Sequence, residues 1–214
     1  TLSHLLSEGD EPGAKEIGLN ALRSVMWLVP FAAMTAGAAH EIVFSIFGGK
    51  YLSSGPILAL LIFAALGFLA IKIAKAILIA LDKPGWTFTL TGPLVPLALI
   101  GHLSLIPWMG GLGAAVVTTS IAFLGALASV LAVHRLWGIV PAVKTVLKSA
   151  LCSGIALALA ILWPVSGLML IFKLVSITLI ILLTFLILGE FTASEIAWVR
   201  SMLRFKKEAG TKRG

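Results

Sequence analysis

Six stretches of mostly apolar residues, each more than twenty residues long, dominate this chain: 22–47, 54–81, 86–107, 112–136, 140–162 and 165–188. A helix needs about 20 such residues, at about 1.5 Å rise each, to cross roughly 30 Å of hydrocarbon. Each stretch is therefore long enough to span a bilayer. Composition points the same way. The 214 residues are 59% hydrophobic and 12% charged, with a mean hydropathy of +1.09, whereas soluble domains carry about 25% charged residues. So little polar surface cannot cover a globule in water. The expected fold class is all-α, a polytopic transmembrane helix bundle of six spans.

The breaks between stretches have their own chemistry. Phe47-Gly48-Gly49-Lys50 ends the first, Asp82-Lys83-Pro84-Gly85 the second and Pro107-Trp108-Met109-Gly110-Gly111 the third. Arg135-Leu136-Trp137-Gly138 closes the fourth, and Trp163-Pro164 divides the last two. Glycine ends helices through left-handed caps, and proline cannot continue them. Trp27, Trp86, Trp108, Trp137 and Trp163 all fall near these ends, where an indole favours the headgroup layer.

Basic residues give the spans a direction. Lys15, Arg23, Lys83, Arg135, Lys144 and Lys148 fall on one side together with Arg200, Arg204, Lys206, Lys207, Lys212 and Arg213; the other side offers Lys50. Cytoplasmic loops carry the excess of Lys and Arg, so both ends are expected in the cytoplasm, as an even number of spans requires. Three regions follow: a polar cytoplasmic segment over residues 1–21, the helix bundle over 22–188 and a basic cytoplasmic tail over 189–214. In the tail, Thr192 and Glu195 have the spacing of a capping box. Ile196, Val199 and Leu203 would share one face of a helix there and Arg200, Arg204 and Lys207 another, as in a helix lying on a membrane surface. The +7 formal charge thus reads as topology and lipid contact, not as nucleic-acid binding. No signal peptide is visible, and a membrane protein that opens on Thr1 in a polar stretch reads as a piece of something longer.

Catalytic patterns are missing. Between Ile17 and Leu188 the acids are Glu41 and Asp82, which the topology puts on opposite sides, so they cannot act as a carboxylate pair. The chain has no Gly-rich phosphate loop, no His-Glu-x-x-His and no Cys/His cluster, so no enzyme activity and no cofactor are expected. Cys152 reads as a small packing residue. Intramembrane charges are costly and mark function, which makes Lys72 and Lys173, and with them Lys75 and Arg23, candidates for lining a substrate cavity. Lys75 can instead reach the headgroups along its own stem. Glu41, His40 and His102 lie nearer the outer ends of their spans and are candidates for ion coupling. Gly92-Pro93, Pro96, Gly101 and the Gly110–Ala115 run interrupt the middle spans, and broken helices in lipid are tolerated where they border a cavity or another helix.

The order of these motifs resembles a known family. The matching features are Leu2-Ser3-x-Leu5-Leu6-x-x-Gly9-Asp10, Leu22-Arg23 through Pro30, Phe47-Gly48-Gly49-Lys50-Tyr51 and Leu81-Asp82-Lys83-Pro84. Pro107 follows, with Gly110 to Ala115, Thr118-Thr119-Ser120 and then Thr192 and Glu195. In that order the chain resembles the C-terminal part of polysaccharide (oligosaccharidyl-lipid) flippases of the multidrug/oligosaccharidyl-lipid/polysaccharide exporter superfamily. The resemblance implies a C-terminal lobe whose partner is an N-terminal lobe of the same protein. It also implies alternating access and an undecaprenyl-diphosphate-linked oligosaccharide as substrate in a bacterial-type cytoplasmic membrane. Cationic side chains would suit the diphosphate. A multidrug or cation antiporter of the same superfamily shares the architecture but calls for intramembrane carboxylates. A membrane-embedded glycosyl- or acyltransferase calls for acidic or His-bearing loops.

Overall fold

A computed structural model describes residues 2–189. The Thr192/Glu195 cap, the amphipathic helix and the basic cluster expected beyond them lie outside the described residues. Among the described residues the regular elements are α-helices apart from one 3-10 turn, and six segments are long and apolar enough to cross a membrane. It is an all-α polytopic bundle.

The short helix α1 (Leu2–Ser7) precedes α2 (Glu11–Gly37). The second helix starts well before the apolar stretch at residue 22, inside the polar opening segment. The reason is local: the Asp10 carboxylate accepts the Gly13 N–H at 3.0 Å, and Pro12 sits in the first turn, where its missing N–H costs nothing. One residue, Ala38, separates α2 from α3 (Ala39–Phe47). A 3-10 turn (Gly49–Ser54) leads into α4 (Gly55–Ala80). That helix ends in a Schellman closure: the Lys83 N–H donates to Leu78 O at 2.9 Å and the Asp82 N–H to Ile79 O at 3.0 Å. Asp82 takes the left-handed position with φ 57°.

Gly92 and Pro93 split the third span into α5 (Pro84–Thr91) and α6 (Leu94–Met109), neither of which has a buried residue. Helix α7 (Gly111–Trp137) closes on Gly138 at φ 75°. At Trp163-Pro164 the chain forms two helices, α8 (Val143–Leu162) and α9 (Met169–Ile187), packed as a hairpin. The last helix begins four residues later than its apolar stretch, because residues 164–168 form the link.

These helices pack in the row α9, α8, α2, α4, α7, α6, and its ends do not close on each other as a packed pair. In lipid there is little hydrophobic drive between helices, so close approach of small residues and interhelical hydrogen bonds do the work. The α4–α7 pair has both. A Cβ on Gly67 would stand 2.9 Å from backbone atoms of Ala122, and the Thr119 hydroxyl donates to Leu60 O at 3.1 Å. Gly37 lies as close to Ala160 where α2 meets α8, and the Cys152 thiol faces Ile181 O at 3.9 Å in the packed interior.

Trp137 departs from the headgroup placement expected of it. It is 7% exposed, in a core cluster with Ala14, Leu22, Ile77 and Val133, because the extension of α2 toward residue 11 covers the end of α7. Trp108, at the end of the edge helix α6, is 89% exposed.

Gly154 offers a clean test of the packing. It is inside α8 and an added Cβ would meet nothing within 4 Å. Gly154→Ala is expected to raise unfolding stability by about 0.5–1 kcal/mol, the helix cost of glycine, as read by denaturant unfolding in detergent or bicelles.

Candidate functional site

The charged side chains inside the apolar helices form two separate groups, one toward each end of the bundle. The first is at the Lys50 end. Ala38 interrupts the helix and α3 restarts, so Glu41 falls in the first turn of α3, where the helix dipole favours an acid. On α9 the buried residues Leu170, Lys173, Ile177, Ile181 and Phe185 recur at helical spacing, so Lys173 points inward with its apolar neighbours. Its ammonium forms an ion pair with Glu41 Oε2. The other carboxylate oxygen, Oε1, accepts the Val165 N–H from the α8–α9 link at 3.2 Å. Lys173 is fully buried, while the Glu41 side chain keeps 18% of its exposure.

Lys173 therefore does not stand in an open cavity; its charge is matched by an acid 132 positions away in the sequence. It is also shallower than its apolar stretch suggests. With α9 starting at Met169, four residues put it about 6 Å along the helix. The signal that could have linked the two was available. Glu41 is the one acid within the apolar stretches, and Lys173 the one base in the last of them, both near the Lys50 side. Burial of a charge without a partner is prohibitive.

The second group lies toward the Lys83 end. Lys72 is exposed, eight residues before the end of α4 at Ala80, or about 12 Å in at 1.5 Å per residue. It belongs to an exposed stripe of Leu61, Ala65, Phe68, Lys72, Ala76 and Ile79. Among the described residues it has no hydrogen-bond or ion-pair partner. Lys75, one turn on, is half-buried beside that stripe. The half-buried Arg23 stacks its guanidinium on Trp27, 5.1 Å from the ring centroid, a cation–π contact.

His40 and His102 join neither group. The exposed His40 ring lies against Gly55 at the start of α4, where an added Cβ would come within 2.9 Å of Cδ2. His102 is half-buried on α6, and its Nδ1 has no hydrogen-bond partner among the described residues. No cluster of three His, Cys, Asp or Glu side chains able to hold a metal occurs among the described residues.

The two faces of the helix row differ. One carries an apolar groove of about 290 Å³ between α2, α4 and α7, lined by residues that include Val25, Val29, Phe63, Gly67, Ala70 and Leu127. A second hollow of about 240 Å³ continues it past Val140 and Pro141. Lys72 comes nine residues after Phe63, which at about 100° per residue puts it on the opposite side of α4. Sequence alone ranks Lys72 as deep; its placement opposite an apolar groove requires the packing. No protein-family model, curated protein or solved structure matches the chain.

Proposed function

We propose that this chain is the C-terminal lobe of a transporter that flips undecaprenyl-diphosphate-linked oligosaccharide across a bacterial cytoplasmic membrane by alternating access, with both of its ends in the cytoplasm. The observation that carries the reading is Lys72: an exposed ammonium with no partner among the described residues, about 12 Å inside a span, on the face opposite the apolar groove. A charge at that depth calls for water or an anion beside it. The grooved face suits lipid, and the Lys72 face suits a polar path shared with an N-terminal lobe. A diphosphate headgroup crossing a region of low dielectric is stabilised by such a cation. Lys75 and Arg23, in the same half of the membrane, extend the cationic character toward the cytoplasmic side. In this reading the chain moves its substrate and carries out no covalent chemistry.

The antiporter alternative needs a free intramembrane carboxylate. The acid available, Glu41, is engaged by Lys173 and the Val165 N–H, which favours the anionic substrate.

The test is flipping of a fluorescent lipid-linked oligosaccharide by the protein in proteoliposomes. A charge-assisted hydrogen bond contributes about 1.5–3 kcal/mol, so Lys72→Gln is expected to slow flipping by about 10- to 100-fold, while Lys72→Arg keeps most of the rate. Wild-type flipping in Lys72→Gln would sink the proposal, as would export of cationic dyes with lipid-linked glycan left unmoved.

A further inference from the structure

The apolar groove has walls and a stopped end. Helix α8 packs on α2 and helix α7 on α4, so the two outer helices stand on either side of a floor made by α2 and α4. Residues 138–142 join them across the Lys83 end. Ile139 in this link is buried in a core cluster with Leu22 and Trp137, while Val140 and Pro141 line the hollow. The groove is therefore entered from the side, where Phe123 and Leu127 on one wall and Val146 on the other are exposed.

Its width selects the occupant. The lining runs from Phe63 to Ala70 on α4 and from Phe123 to Val130 on α7, about 10 Å along each. A volume of about 290 Å³ over that length gives a cross-section of roughly 30 Å², whereas a helix about 10 Å across needs roughly 80 Å². One hydrocarbon chain fits and a helix does not. The length suits a chain confined to one leaflet, since half of the hydrocarbon layer is about 15 Å thick.

The rim is basic. His134 comes one turn after Val130 on the same face of α7, and both it and Arg135 are exposed. Across the link the exposed Lys144 sits in the first turn of α8, a turn with no acid and no side-chain cap. A lysine at that position opposes the helix dipole unless an anion joins it. No acid occurs anywhere between Lys83 and Gly189, so neither wall nor the link offsets these charges. We propose that the groove is a binding site for an anionic phospholipid of the leaflet at the Lys83 end, with one acyl chain between α7 and α8 and the phosphate at the Arg135–Lys144 rim. The site lies on the face opposite Lys72 and does not depend on the transport reading.

The test is photo-crosslinking in bicelles. Phosphatidylglycerol or phosphatidylcholine, carrying a diazirine halfway along one acyl chain, is added at equal low mole fraction, and adducts are mapped by mass spectrometry. Leu179 and Leu183, exposed on α9, report bulk lipid. Adducts on the Phe63–Ala70 and Phe123–Val130 segments are expected to favour phosphatidylglycerol by about fivefold relative to that reference, the effect of one basic residue at an anionic lipid surface. Ala126→Phe, which places a ring in the groove from its α7 wall, is expected to remove the groove adducts. Arg135→Gln/Lys144→Gln alters only exposed side chains and is expected to equalise the two lipids, so it decides the matter if Ala126→Phe fails to fold. Equal labelling of the wild-type groove by both lipids overturns the site, as does an excess that survives either variant. Absence of groove adducts, the result of a protein partner seated over the groove, overturns it too, and displacement by an equal mole fraction of undecaprenyl phosphate would assign the groove to a polyprenyl chain instead. A groove that labels as expected in a protein that moves no glycan leaves the lipid site standing and overturns the transport reading alone.

Discussion

Replacing Glu41 by glutamine is expected to cost the folded bundle about 3–5 kcal/mol, the range for breaking a buried ion pair by removing one partner. Lys173→Met is expected to cost less, about 1–3 kcal/mol. The asymmetry comes from burial. Without the acid, a fully buried ammonium has no counter-charge. Without the base, Glu41 keeps the Val165 N–H and its 18% exposure to polar surroundings. The double variant Glu41→Gln/Lys173→Met should recover most of the loss, because a buried pair replaced by groups of similar volume is often neutral in stability. Denaturant unfolding in bicelles at pH 7.5 measures all four corners of the cycle. Equal single costs that simply add in the double would mean that the two charges do not interact, and the node at Glu41 would have to be abandoned.

That pair also marks the limit of what one sequence discloses. Span number follows from the length of apolar runs, since a bilayer imposes about 20 residues on every crossing, and all six appear as helices. Ends marked by strong backbone chemistry are equally legible: Asp82-Lys83-Pro84 closes α4 and Gly138 closes α7. The Gly92-Pro93 interruption of the third span is visible as residue types before it is visible as two helices. The start of α2 is not legible from hydropathy, because Asp10 and Pro12 begin the helix within a polar stretch. Nor is the break at Ala38, where Gly37-Ala38-Ala39 carries no strong stop signal. The side chains that matter depend on which helix faces are turned inward. Lys72 and Lys173 look alike in sequence, each a lysine within an apolar run. The row order gives them opposite environments, one exposed with no partner among the described residues and the other sealed against an acid.

The same row order makes Gly67 the glycine whose replacement should disturb the bundle most. An added Cβ would stand 2.9 Å from the carbonyl carbon, the oxygen and the Cβ of Ala122, so two of its three nearest neighbours are backbone and cannot rotate away. Gly67→Ala must push α4 and α7 apart. Overpacking of this kind costs about 1–3 kcal/mol, and Gly67→Val, which adds branching at the same point, should reach the upper end or fail to fold. Separation would also lengthen the 3.1 Å bond from the Thr119 hydroxyl to Leu60 O, about one turn nearer the Lys50 side along α7 and two along α4, and open the apolar groove that Gly67 lines. Ala122→Gly removes only the Cβ from the three close atoms, so it should restore part of the stability of Gly67→Ala and not all of it. Thermal unfolding of the two single variants and the double decides the matter, with Gly154→Ala as the control in which the same methyl enters open space. A Gly67→Ala protein that unfolds at the wild-type temperature would mean that α4 and α7 do not meet backbone to backbone. In that case the placement of Lys72 opposite the groove, which depends on this packing, would fail with it.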